Sequence, residues 1–575
     1  MTPGPPAGSA APPAGMPARP ARRWLRPASL AVAALALGAI GVQDCRGRAA
    51  ERGRVLGELA AVGLPAESEA KRDELLREDD PARLRIHAAR LLVAGELAAG
   101  EEGDPETHLA RLRLARDLAA HALARQPAAW EAALFLGAAT YLERARTGDP
   151  RLVTESAHWD RPLSRARELA PTAGEPASFS AIAYLELWPA LSEEKREEAV
   201  ALLRRAFRDP GTFSRLMPVW LDLNDDADEA LAVVPDEPFA WQSLERVFAE
   251  RSDWPRLLEA RERWREALEA HLTRRLAEAG TLRRHRPDEA RHLYLAVVAE
   301  APRERRFVPL VARALGEAPA GPAVPAYAAA LRSWLEWSLD LVLAGRDVLE
   351  PALLDRLAGL AGDLPPHLPA RASLLAGRVE AAEYQERLAT GRTDLEAWGP
   401  YWILKARHLL ARGHQEQAAA ALARAADEWH GRPAYLVTAV EVAEALGDEA
   451  LAAAAHRQLA ATAGRLDVLR PLARTERGVR LELFADGPLE ALEAEVGAAG
   501  RASLLEIHLD GALLGTVRAR PGRAVALAAT AGRGLHVVEV VAVSGDRIAL
   551  DRLVAQERGA GGGAAEDGQG EGVGR

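Results

Sequence analysis

The sequence is short of several things, and each shortage excludes a class of protein. Cysteine occurs once in 575 residues, as Cys45, which excludes an intrachain disulfide framework and a zinc site built on thiolates. Lysine occurs only at Lys71, Lys195 and Lys405, so arginine carries nearly all the positive charge. With the alanine excess, this bias reads as the imprint of a GC-rich coding sequence, and no single arginine is singled out on that account. Positive charge is not in surplus: 73 Lys+Arg stand against 83 Asp+Glu, a formal net charge of −10. No nucleic acid partner is therefore expected, because phosphate binding needs clustered positive charge in excess. HExxH, GxSxG and Walker-type loops are all missing. The expectation is a protein that is not an enzyme, with no cofactor and no catalytic, cofactor-binding or metal residue to nominate.

What is present is enough apolar residue to build large cores, 49% hydrophobic with 27% charged. Residues 1–27 are rich in Pro, Ala and Gly and read as a disordered tail. Arg19, Arg22, Arg23 and Arg26 then precede the one sustained uncharged run, Ala28 to Val42. The run covers roughly 22 Å as a helix, and snorkelling arginines at its margins extend that reach. We read 28–43 as a transmembrane anchor or signal segment. A cleaved signal peptide and a buried helix are the alternatives. On the first reading the chain sits in the cell membrane with a single pass, and its bulk lies outside the cytoplasm.

From about Leu56 to Arg474 the apolar residues recur at three- and four-residue spacing, with breaks at Pro, Gly and Asp. This is the pattern of amphipathic helices joined by short turns. Near the end the helices repeat. Trp402, Ala406, Leu409, Gly413, Ala418, Leu422 and Ala425 are followed in the same order by Leu436, Val440, Ala443, Gly447, Ala452, His456 and Leu459. Gly413 and Gly447 lie 34 residues apart, as do Ala418 and Ala452. Ala115, Ala122 and Pro127 with Leu136 and Gly137, Leu163, Ala166 and Pro171, and Ala290, Tyr294, Val297 and Pro302 are earlier fragments of the pattern. Looser ones are Ala199, Leu203, Ala206 and Pro210, and Gly377 with Ala382. The sequence here resembles the tetratricopeptide-repeat (TPR) family, a helix–turn–helix unit of 34 residues. That resemblance implies stacked hairpins and a concave groove that binds protein or peptide partners. Around 212–275 and 303–370 only helical hairpins are expected.

Twelve of the 13 tryptophans fall in this body. Inter-helix packing accounts for them better than an aromatic-lined groove, since Trp402 occupies a core position of the best repeat. Arg407 and Tyr401, flanking Trp402 on a first helix, mark the candidate groove surface.

Beyond Arg474 the period changes to two. Val479–Phe484, Leu505–Leu509, Ala524–Ala528, His536–Val543 and Ile548–Leu553 read as strands, and Asp510-Gly511 between two apolar runs reads as a hairpin turn. Leu509–Thr516 followed by Gly534–Val540 looks like a PEGA-type or carbohydrate-module-like β-domain. Glycan stacking needs exposed aromatics, and this segment has Phe484 but no Trp or Tyr. Residues 556–575 form a Gly-rich tail.

Three further patterns resolve to ordinary structure. Asp222–Asp228 begins like a calcium loop, but Ala227 replaces the turn glycine and Val233 stands where the bidentate glutamate belongs, so it reads as an acidic helix start. His408 and His414 do not share a helical face. Glu193–Glu198 and Arg283–Arg286 read as solvated helix faces or loops.

The expected fold class is mainly α: a TPR-like α-solenoid of helical hairpins followed by a small C-terminal β-sandwich. The expected segments are 1–27 tail, 28–43 membrane or signal segment, 56–474 helical repeats, 479–554 β-sandwich and 556–575 tail. The expected function is a membrane-anchored bacterial scaffold for protein or peptide partners in a cell-envelope process. The alternative is an envelope glycan-binding or polysaccharide-assembly accessory acting through the β-domain.

Overall fold

A computed structural model of the chain describes residues 82–99, 104–149, 151–224, 226–321, 324–389, 395–464, 473–475, 478–496, 503–519, 524–544 and 550–557. The fold is mainly α, with TPR-like helical hairpins followed by two small antiparallel sheets, as the sequence predicts. It divides into two compact units, Met1–Val233 and Val234–Arg575.

In the first unit the helices are α1 (Ala82–Ala99), α2 (Pro105–Arg125), α3 (Trp130–Thr147), α4 (Arg151–Thr154), α5 (Ala157–Leu169), α6 (Gly174–Glu186), α7 (Glu193–Ala206), α8 (Pro210–Leu223) and α9 (Ala227–Leu231). Their starts follow from local chemistry. Asp104 before Pro105 and Asp209 before Pro210 each accept the backbone N–H three residues on, from Thr107 and Thr212. Proline supplies a preset φ where no donor is needed, and the aspartate satisfies an orphan amide. Trp159 is buried between Tyr141 and Tyr184, with ring centroids 5.2 and 5.6 Å away. Gly137 lets α3 and α5 meet: a Cβ there would sit 2.7 Å from Leu163 Cγ and 2.8 Å from the Trp159 carbonyl. These are the residues the repeat pattern picks out as the small residue and its partner.

The second unit contains α10 (Pro238–Arg251), α11 (Trp254–Leu282), α12 (Pro287–Glu300), α13 (Val308–Glu317), α14 (Ala328–Leu343), α15 (Pro351–Ala361), α16 (His367–Leu375), α17 (Val379–Ala389), α18 (Leu395–Ala411), α19 (Gln415–Ala423), α20 (Ala426–Trp429), α21 (Pro433–Leu446) and α22 (Glu449–Thr462). Gly413 turns α18 into α19 and Gly447 turns α21 into α22, both with the positive φ that favours glycine, 79° and 71°. Gly345 and Gly377 end α14 and α16 in the same way. The turn between α14 and α15 is thus one more instance of the unit, in a stretch where the sequence supports only unspecified hairpins.

The strands are β1 (Ala473–Thr475), β2 (Gly478–Ala485), β3 (Leu489–Val496), β4 (Ser503–Leu509), β5 (Ala512–Ala519), β6 (Ala524–Ala531), β7 (Gly534–Ser544) and β8 (Leu550–Glu557). They form a five-stranded sheet in the order β1-β2-β7-β4-β5 and a three-stranded sheet in the order β6-β3-β8. All described pairings are antiparallel. The segment 489–496 is the central strand of the smaller sheet. Between the sheets lies a core of Leu481, Leu483, Leu492, Leu505, Ile507, Val538 and Val540, together with smaller residues. Leu492 comes from β3, and the others are alternate residues of β2, β4 and β7, as period two demands.

Membrane location is a point of correction. Among the described residues no helix is long and apolar enough to cross a membrane. The longest, α11, has 29 residues, about 44 Å of helix, but it is studded with arginine and glutamate along its length. The segment 28–43, on which the single-pass expectation rests, lies outside the described residues, as does the expected tail at 1–27; of the tail expected at 556–575, residues 556 and 557 end β8 and 558–575 lie outside the described residues. The single-pass membrane localisation is withdrawn on this finding.

Candidate functional site

The alternate residues that do not enter the sandwich core are the ones that an exposed sheet would show to water. On β2 they are Arg480, Glu482 and Phe484; on β4, Glu506 and His508; on β7, Leu535, Val537 and Glu539. All eight are buried. The cover is supplied by the helices of the same unit. Leu535 and Val537 belong to the helical core cluster, and Phe484 packs with Leu436 of α21 and Leu459 of α22. The three central strands β2, β7 and β4 therefore have two buried faces, one apolar and one bearing the charges, and the charged one lies on the helices.

Ion pairs run along this seam. Glu506 accepts hydrogen bonds from Arg261 Nε at 2.7 Å and from Arg265 Nη2 at 2.5 Å, both on α11. Arg265 also reaches Glu304, in the loop between α12 and α13, and Arg261 reaches Glu245 of α10. Arg480 donates to Asp340 of α14 at 2.7 Å and stands 3.6 Å from Glu539, its cross-strand neighbour. Arg371 of α16 shares Asp340. Asp510 pairs with Arg346 at 3.0 Å and with His536 at 2.8 Å, and accepts the Val537 N–H at 2.9 Å. The helices thus bring mainly arginine, and the sheet brings mainly carboxylate.

Burial opposes the charge of Glu506, but hydrogen bonds from His508 and Arg261 and the charges of Arg261 and Arg265 outweigh it. They hold the carboxyl far below the usual range. Glu245, whose burial is opposed only by Arg261 and Arg265 in part, is pushed up. The low internal dielectric makes such pairs costly to break once formed.

The β4–β5 turn locks into the same face. Asp510 and Gly511 both have positive φ, 52° and 77°, which confirms the hairpin read from their sequence. The Gly511 carbonyl accepts the Arg305 N–H at 2.7 Å. A Cβ on Gly511 would lie 2.7 Å from the ring of Trp337.

One group among the described residues has the spacing of metal ligands: Glu304, Glu506 and His508, with ligand atoms within 4.8 Å of one another. Arg265 already bridges the two carboxylates. A divalent cation would have to displace that guanidinium from both, so the group is better described as an ion-pair cluster.

The residues singled out in the sequence fall elsewhere or serve packing. None of the described tryptophans is exposed, and Trp159, Trp220, Trp241, Trp334, Trp337, Trp398, Trp402 and Trp429 are buried, which decides for packing. Tyr401 donates to Glu386, and Trp402 lies under Arg424. Arg407 bonds to Thr438 and to the carbonyls of Leu343 and Ala434. The candidate groove residues are thus internal ties. Asp226 caps α9 through the N–H groups of Asp228 and Glu229, as an acidic helix start should. His408 lies within α18 and His414 immediately precedes α19 without a side-chain capping bond, and the two are not brought together in a site.

In the run Glu193–Glu198, Glu193, Glu194 and Glu197 are exposed as a solvated face should be, while Lys195 and Glu198 are half-buried and tied inward. Lys195 donates to Asp160 at 2.8 Å and to Glu198 at 2.7 Å, and Asp160 also accepts from Tyr184. The seam itself was missed by sequence reasoning. Its only signal was that the polar positions of β2 and β4 are charged residues rather than the Thr and Ser of an exposed strand.

No protein family and no curated protein matches the chain. Among solved structures, the chain is similar to a circular tandem repeat protein with a novel repeat topology. The identity is 15%, over 71% of this chain and 87% of that one, with a TM-score of 0.20. It is also similar to a chain of the Naa15/Naa10 complex bound to HypK-THB, at 13% identity over 72% of this chain and 63% of that one, TM-score 0.18. A third is the human IFIT1 dimer with PPP-AAAA, at 13% identity over 69% and 94%, TM-score 0.14. At those scores the likenesses carry no argument about this chain.

Proposed function

We propose that the chain is a non-enzymatic, TPR-like scaffold that binds a protein or peptide partner through the helical hairpins of its first unit. The observation that carries this reading is the self-occupied seam. In the second unit, α11, α14 and α21 already hold the chain's own sheet, and Arg407, a candidate contact, is spent on internal bonds. Partner contact then falls to α1–α9, where Leu97 and Val219 stand about half exposed. The charged clusters support a structural rather than a chemical role, because Glu506, Glu539 and Asp510 are each matched by a guanidinium group. The glycan alternative gains nothing from the β-domain, since the charged face of the larger sheet is covered by helices.

The test is photo-crosslinking in the full chain, with a crosslinking side chain placed at Leu97 or Val219 and, for comparison, at Tyr384 in α17. A stoichiometric protein captured from the first two positions is the expected result. Capture from Tyr384 alone, or no protein partner at any position, overturns the reading.

A further inference from the structure

Four carboxylates of the β-domain enter the charged seam, and three of them stand against a guanidinium. Glu506 has Arg261 and Arg265, Glu539 has Arg480, and Asp510 has Arg346. Glu482 differs. Its Oε2 accepts the Ala434 N–H at 3.4 Å, in the first turn of α21, and its Oε1 has no hydrogen-bond partner among the described residues. It is buried, yet no arginine reaches it within ion-pair distance among the described residues.

The cations around it are committed elsewhere. Arg407 of α18 is held by Thr438, the Leu343 carbonyl and the Ala434 carbonyl. Arg432, which precedes α21, donates to Glu396 at 2.7 Å and lies over the Trp429 ring. Arg480, two residues back on the same face of β2, belongs to Asp340, which Arg371 also contacts. Asp340 itself adds a like charge on the α14 side. A carboxyl in this position is carried more cheaply as the neutral acid.

We propose that Glu482 makes the docking of the sheet on the helices proton-linked: the side chain enters the buried seam protonated, and loss of that proton loosens the seam. Burial pushes the carboxyl up to about 7. Arg432, the Ala434 N–H and Arg407 pull it down and Asp340 pushes it up, without offsetting the burial. The sign follows from linkage. A folded-state value raised above the ordinary 4.5 gives a contribution that is full below about 4.5 and lost as pH rises through about 7. Between pH 6 and pH 8 the equilibrium for opening the seam shifts by about tenfold. This inference does not depend on where a partner binds.

The experiment is hydrogen exchange of the full chain at pH 6, 7 and 8, corrected for the intrinsic chemical rate, reading peptides from 478–485 and 433–446. Peptides from 174–186 in the first unit serve as the control. In the native sequence, protection at the seam is expected to fall about tenfold from pH 6 to pH 8. His508 and His536 are also buried on this face of the sheet, so Glu482→Gln isolates the carboxyl, and Glu482→Met provides a second neutral isostere in case the amide disturbs folding. Loss of most of the slope in either variant supports the proposal. A flat profile in the native sequence, or a slope that survives both substitutions, overturns it.

Discussion

Glu506 and Arg261 are 245 residues apart in sequence and 2.7 Å apart in space. That bond joins a strand of the C-terminal sandwich to α11, the longest helix among the described residues. Replacing Glu506 with glutamine leaves Arg261 and Arg265 buried without their shared carboxylate. The loss to the second unit should be about 3–5 kcal/mol, the range for breaking one partner of a buried pair. The pH dependence has a definite sign. The carboxyl is held below its ordinary 4.5 in the folded chain, so its stabilisation is present above about pH 4.5 and fades as the pH falls toward the folded value. Urea unfolding, followed by exchange of α11 peptides, should therefore show a large gap between the native chain and Glu506→Gln at pH 7, narrowing below pH 4.5. A gap that stays constant into acid would mean that packing, not charge, is what the substitution removed.

Much of the fold was legible because it depends on local rules. The 34-residue offset between Gly413 and Gly447 reports two real hairpins, and Ala406, Ala418 and Ala443 are buried where close packing needs small residues. Asp510-Gly511 makes the turn its residue types predict. The seam was not legible, because alternation in a strand tells only that two faces differ. Arg480, Glu482 and Glu506 occupy the polar phase, and that phase normally faces water. Burying it required matching charges from α11, α14 and the Arg346 turn, and pairings at separations of 140 and 245 residues leave no periodic trace. Arg407 shows the converse error, since a cation beside an aromatic suggested a binding surface but ties α18 to α21.

The hairpin tip offers a packing test that does not involve charge. Gly511 has a φ of 77°, and an added Cβ would lie 2.7 Å from the Trp337 ring. Alanine there costs about 1–2 kcal/mol for the left-handed backbone and about 1–3 kcal/mol more if Trp337 must move. Trp337 is buried in the helical core and cannot swing into solvent. Gly511→Ala should lower the urea midpoint of the second unit and speed exchange in β4 and β5. Pairing it with Trp337→Leu separates the two contributions: the double variant should recover the part caused by overlap and keep the part caused by φ. If the double variant recovers nothing, the contact with Trp337 is not what the glycine protects.

Ser252 supplies a substitution expected to stabilise. It ends α10 with a φ of 58°, the position that Gly413 and Gly447 fill in later hairpins. The Schellman-type closure is complete, with the Ser252 N–H on the Ala249 carbonyl and the Asp253 N–H on the Phe248 carbonyl. Asp253 then caps α11 by accepting the Arg256 N–H at 3.4 Å. Serine is exposed here and its side chain makes no hydrogen bond among the described residues, so its main effect is the strain of a Cβ in the left-handed region. Glycine relieves that strain, roughly 1 kcal/mol, against the larger entropy it loses on folding, about 0.5–1 kcal/mol. Because φ is fixed on the left-handed side, relief should win, and Ser252→Gly should raise the stability of the second unit by a few tenths to about 1 kcal/mol. Ser252→Ala keeps the strained Cβ and removes only the hydroxyl, so it should leave the urea midpoint unchanged. A midpoint that rises equally for alanine and glycine would show that the hydroxyl, not the backbone, carries the cost.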